Sequence, residues 1–120
     1  MASDSAFTHY LIEQLQWVGP VKCRRMFGGY GVFLEGLMFG LVFENTLYLK
    51  VDTDSRQDFD ALGLPPFTYA RGAREVALSY YQTPDEALDD TEILLVWANR
   101  AYVAAMRCAA EKGKKRASGV

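Results

Sequence analysis

The chain has 120 residues, with thirteen Lys and Arg against fifteen Asp and Glu, and a formal net charge of -2. At 50% hydrophobic and 23% charged residues it is ordinary globular composition, long enough for one core and one domain, which excludes a mostly disordered chain. The mild acidity excludes a whole-domain basic field for nucleic acid, and one His with two Cys leaves little for metal or nucleophilic chemistry.

Phe7, Leu11, Leu15 and Val18 recur at helical spacing, predicting an amphipathic helix over 5–18, capped by Asp4 or Ser5 and ended by Gly19-Pro20. A glycine-rich stretch, Met26-Phe27-Gly28-Gly29-Tyr30-Gly31, leads into three predicted strands. The first covers 30–35, and Glu35-Gly36 signals a tight turn. In the second, Leu37, Phe39, Leu41 and Phe43 alternate with Met38, Gly40, Val42 and Glu44. After a turn at Glu44-Asn45, Leu47, Leu49 and Val51 alternate with Thr46, Tyr48 and Lys50, which completes an antiparallel meander. Asp54 and Gln57 read as a capping box for a helix over 54–62, and Gly63 suits its C-terminal cap.

Pro65-Pro66 stops that helix, and strands over 67–70 and 74–81 flank Arg71-Gly72. Thr83-Pro84-Asp85-Glu86 is a helix start, giving a short turn and then a long helix from Thr91 to Glu111. Its apolar stripe is Ile93, Leu94, Trp97, Ala98, Ala101, Tyr102, Ala105 and Cys108. The domain is expected to span 1–112, with 113–120 a disordered basic tail. The fold class is α+β, a two-layer arrangement with an antiparallel sheet and the order α-β-β-β-α-β-β-α. Met38, Val42 and Tyr48 would lie on the sheet face away from the helices, making them candidate interface residues unless the final helix or a loop covers them.

The chemical motifs mostly fail. A dinucleotide fingerprint would need a third glycine where Leu34 stands, and would have to enter a helix rather than a strand. Gly28, Gly29 and Gly31 are better read as backbone devices. His9 and Glu13 share a helix face but lack a third metal ligand, Ser79 has no nucleophile elbow, and no pair of acids occupies contrasting environments. No cofactor, metal or catalytic residue is expected. Cys23 and Cys108 fit no paired pattern and are read as free thiols; with no signal-peptide pattern and no membrane-length apolar run, a cytoplasmic protein is expected.

The charge is unevenly placed. Lys22, Arg24 and Arg25 form one basic cluster and Lys112, Lys114, Lys115 and Arg116 another, while Asp85, Glu86, Asp89, Asp90 and Glu92 run without a base. Lys22, Arg24, Arg25, Phe27, Tyr30, Arg71 and Tyr80 are the candidate binding residues, with an anion pocket considered near Arg24, Tyr30, Arg71 and Tyr80.

The segment Arg25-Met26-Phe27-Gly28-Gly29-Tyr30-Gly31 is distinctive. So are Leu47-Tyr48-Leu49-Lys50-Val51-Asp52, Gly63, Pro66-Phe67-Thr68-Tyr69, Ser79-Tyr80-Tyr81 with Pro84, and Leu94, Trp97 and Ala98. In this order the set resembles the N-terminal domain of the TfoX (Sxy) family of bacterial competence regulators, over about residues 10–110. The resemblance implies a two-layer α+β fold similar to type III secretion chaperones, a role with the transcription machinery, and no established catalytic residues. Full-length regulators of this family also carry a C-terminal helical domain, so a stand-alone N-terminal domain is expected here.

Three functions compete on this reading. The first is a non-enzymatic regulator that binds another protein and forms a homodimer. The second is a DNA-binding accessory protein that uses the basic clusters. The third is a small-molecule or anion-binding domain.

Overall fold

The computed structural model describes residues 2–26 and 28–118, with side chains over 6–26 and 28–112. The elements in chain order are α1 (Ala2–Leu15), β1 (Lys22–Met26), β2 (Gly29–Leu34), β3 (Leu37–Phe43), β4 (Thr46–Lys50), α2 (Arg56–Ala61), β5 (Pro66–Arg71), β6 (Arg74–Gln82), α3 (Asp85–Asp89) and α4 (Thr91–Ser118). The six strands form one antiparallel open sheet in the order β1-β2-β3-β4-β6-β5. The α+β class therefore holds, and the expected element order gains one strand, β1, ahead of the meander and one short helix, α3, in place of the turn before the last helix. Lys22 to Arg25 are all exposed, so this edge strand has no buried face to produce an apolar alternation. Its ladder to β2 defines it instead.

The two tight turns form as expected. Glu35-Gly36 and Glu44-Asn45 all have positive φ, the geometry that matches the twist of two-residue hairpins. Some of the expected caps are exchanged for others; Asp4 and Ser5 fall inside the helical backbone of α1, and their side chains lie outside the described residues. Helix α1 ends at Leu15, with Val18 N–H donating to the Leu15 carbonyl in a following turn. At α2, the Asp52 carboxylate accepts from Ser55 N–H at 2.9 Å while Ser55 Oγ accepts from Asp52 N–H at 3.0 Å, so Asp52 rather than Asp54 organises the start. Gly63, at φ 70, closes that helix as expected, with Leu64 N–H donating to the Phe59 carbonyl. Thr83 does not cap α3, because its buried hydroxyl donates to the Leu47 carbonyl at 2.8 Å. Asp90 caps α4 by accepting from Glu92 N–H at 3.0 Å. The helical backbone of α4 continues beyond Glu111 to Ser118, and the side chains of the expected tail lie outside the described residues.

One face of the sheet packs on α1, α2 and α4. Its core joins Leu11, Leu15, Val32, Phe39, Val42, Leu47, Leu49, Phe59 and Leu94 with Ala98, Ala101 and Ala105 of α4. Small residues on α4 let the helix lie close to β3 and β4. A bulge leaves Phe39 without a β2 partner, between Val32↔Gly40 and Phe33↔Met38. The expected strict alternation of β3 is thereby broken, and both Phe39 and Val42 enter this core. Val42 is fully buried there, so it does not belong to the opposite face as the alternation required.

That opposite face is covered by the chain itself. Leu41 is 0% exposed although it lies outside the helix-packed core. Phe67 of β5 stacks edge-on against Phe43 of β3 and Tyr48 of β4, with ring centroids 5.3 Å apart in both pairs. β3 and β5 are three strand spacings apart in the sheet order, roughly 14 Å if the sheet were flat. The sheet must curl to close that gap, bringing the β5–β6 hairpin over its own face.

Candidate functional site

The basic residues Lys22, Arg24 and Arg25 lie along β1, the outermost strand of the sheet, and all three side chains are exposed. The Arg24 guanidinium sits 5.6 Å from the centre of the Phe33 ring, so the aromatic platform orients the charge. The neighbouring glycines make this edge possible. A Cβ on Gly29 would stand 2.0 Å from the Val42 carbonyl oxygen, inside the ladder. Gly28 turns the chain at φ 77. Both roles match the backbone reading of the glycine cluster. Phe27 lies outside the described residues.

The other candidates do not join this edge in one pocket. Tyr30 pairs with Arg25 but is half-buried against the helix-side core. Tyr80 lies on β6, with its hydroxyl donating to the Met38 carbonyl at 3.2 Å and Lys50 Nζ 5.0 Å from its ring centre. Burial, with a smaller effect of Cys108, pushes its hydroxyl up to about 12. Lys50 Nζ in turn donates to Ser79 Oγ at 2.9 Å. Arg71 faces Arg74 across the β5–β6 turn, beside a depression of about 590 Å³. Arg24 and Arg71 thus occupy opposite edge strands, and the anion pocket expected from Arg24, Tyr30, Arg71 and Tyr80 is not assembled. Of the expected interface residues, Met38 is half-buried, Val42 is core, and Tyr48 packs on Phe67 with its hydroxyl pushed up by burial and by Glu44.

A second polar centre escaped the sequence reading. Arg107 of α4 donates from Nε to Asp52 Oδ2, and from Nη2 to Asp52 Oδ1 at 3.2 Å. The Arg107 hydrogen bond is the main cause holding the Asp52 carboxyl down at about 2, against the opposing effect of burial. Two helical turns away, Arg100 pairs with Asp58 at 3.6 Å and lies 5.2 Å from the centre of the Trp97 ring. Asp54, Asp58, Asn99 and Val103 join these arginines around a groove of about 400 Å³ between α2 and α4. The signal was present as two arginines seven residues apart on one helix and an acid-rich segment at 52–60. His9 and Glu13 do share a face, 3.3 Å apart and exposed. Among the described residues no group of three or more His, Cys, Asp or Glu could hold a metal, and no helix is long and apolar enough to cross a membrane.

A sequence profile of the TfoX N-terminal domain matches residues 13–105, most of the chain. The chain belongs to the TfoX N-terminal domain family. It is 33% identical over 86 residues to Protein Sxy of Escherichia coli, covering 70% of this chain and 40% of that protein. It is 29% identical over 68 residues to DNA transformation protein TfoX1 of Aliivibrio fischeri, covering 57% of this chain and 32% of that protein. The chain therefore spans well under half the length of these curated relatives. The matched segment runs from α1 into α4 and includes the basic β1 edge and Asp52, and it stops two residues short of Arg107.

Proposed function

We propose that this TfoX-type domain is a non-enzymatic regulator of DNA uptake that acts in the cytoplasm by binding a protein of the transcription machinery. The observation that carries the reading is the family match over residues 13–105, shared with a relative named as a DNA transformation protein. The β1 edge supports a binding role. It presents three exposed cations and, as the last strand of the sheet, an outer row of backbone groups with no strand neighbour among the described residues. Two free thiols, Cys23 exposed and Cys108 half-buried, fit a reducing compartment.

The test combines a deletion strain with affinity capture. Deletion is expected to change transcript levels of DNA-uptake genes, and the wild-type chain is expected to restore them. A transcription-machinery protein should be retained from native lysate by the wild-type chain and lost with Lys22→Ala, Arg24→Ala and Arg25→Ala combined, at unchanged melting temperature. Unaltered transcripts would remove the regulatory reading. Duplex DNA retained by this edge, with binding that falls steeply with salt, would replace the protein partner with nucleic acid.

A further inference from the structure

Helix α4 buries one stripe and exposes a second apolar line. Leu94, Ala98, Ala101 and Ala105 face the core. On the outer side Val96, Val103 and Met106 are 56%, 40% and 42% exposed. With the exposed Asn99 and Ala110, these residues follow one another at alternating steps of three and four along the helix. That is the a/d spacing of a coiled-coil seam, with one polar residue of the kind that fixes register. The outer side of a helix at the surface of a monomer is normally polar.

Charge identifies the occupant. Before the seam stand the cap Asp90 and Glu92 at the start of α4, preceded by Asp85, Glu86 and Asp89 on the separate helix α3; after it the sequence carries Lys112, Lys114, Lys115 and Arg116, on a helical backbone that reaches Ser118. A second α4 laid antiparallel brings each acidic end over the other copy's basic end, whereas a parallel pair sets like charge against like. The arginines flanking the seam are already engaged, Arg100 by Asp58 and Arg107 by Asp52, so two copies do not meet as bare cations.

We propose that this chain forms a two-fold homodimer through the exposed seam of α4, the helices antiparallel and the axis passing near Val103. This differs from the homodimer expected at Met38, Val42 and Tyr48, which do not form one open face: Val42 is core, Tyr48 packs on Phe67, and Met38 borders a groove beside α4. It is also independent of the regulatory reading: a strict monomer that still captures its protein partner would remove the dimer and leave that reading standing.

Sedimentation and light scattering over a wide concentration range test the proposal. The wild-type chain is expected at twice 13.5 kDa. Val103→Glu, and separately Met106→Glu, should weaken association about a hundredfold with unchanged far-ultraviolet circular dichroism, since each places a charge in the seam. A wild-type chain that stays monomeric, or a dimer that survives both substitutions, overturns the proposal. Orientation is read by cross-linking in a Cys23→Ser, Cys108→Ala background. Val103→Cys should form a disulfide-linked dimer and Val96→Cys should not. Self-linking through position 96 would show parallel helices and overturn the antiparallel arrangement.

Discussion

Replacing Arg107 by Gln removes the tie between α4 and the segment that links β4 to α2. Asp52 carries the effect, because its side chain is only 11% exposed and its carboxyl is lowered from 3.8 to about 2, chiefly by the Arg107 hydrogen bond. A fall of that size corresponds to about 2.4 kcal/mol if fully expressed. Arg107 is 45% exposed and solvent screens the pair, which reduces the expected contribution to about 0.5–1 kcal/mol at neutral pH. The sign follows from linkage. A carboxyl depressed in the folded state stabilises above its unfolded value and loses that contribution as pH falls through the folded value. The gap between wild type and Arg107→Gln in urea unfolding should therefore be full above about pH 5 and shrink towards zero below about pH 2. A nuclear magnetic resonance titration of the Asp52 carboxyl should place its midpoint near 2 in the wild type and closer to about 3.9 in the variant. Equal stabilities at neutral pH, a gap that persists in acid, or an ordinary Asp52 midpoint in the wild type would refute the reasoning.

Three other substitutions probe the fold around the candidate surfaces. Gly29→Ala should cost at least about 3 kcal/mol or prevent folding, because its Cβ would meet the Val42 carbonyl oxygen at 2.0 Å; a near-normal melting temperature would contradict that close approach. Phe67→Ala should cost about 3–5 kcal/mol in urea unfolding by uncovering Phe43 and Tyr48, and a cost below about 1 kcal/mol would show that the hairpin does not cover that face. Tyr80 is raised in the folded state, so the stability it supplies is full below about pH 10 and is lost as pH rises through about 12. Tyr80→Phe should flatten that alkaline loss, and an unchanged alkaline profile would argue against a buried hydroxyl.

Much of the fold was legible because local chemistry and tertiary structure agree. The alternation of Leu47 and Leu49, the Glu35-Gly36 and Glu44-Asn45 turns and the buried stripe of α4 all follow from spacing alone. Spacing failed where a partner element decides the outcome. β1 is a strand only because β2 pairs with it. Val42 changes face because of a bulge that no periodicity announces. Thr83 gives its hydroxyl to Leu47, which lies 36 residues away in the chain. The candidate site shows the same division. Lys22, Arg24 and Arg25 were found as a charge cluster, while the Asp52–Arg107 pair required two acid- and base-bearing segments 55 residues apart to meet.

By itself the sequence determined the α+β class, a resemblance to the TfoX N-terminal family, and a mild net acidity that conceals segregated basic and acidic segments. These are properties of composition, short-range periodicity and motif order. Only the tertiary structure decided which segments become edges, which apolar residues stay outside, and which charges neutralise one another. The sheet curls and places Phe67 over the face read as either an interface or covered by the chain, and the exposed apolar line of the molecule lies instead on the outer side of α4. Burial and charge pairing depend on neighbours brought together through space, and for that reason neither could be read from spacing along the chain.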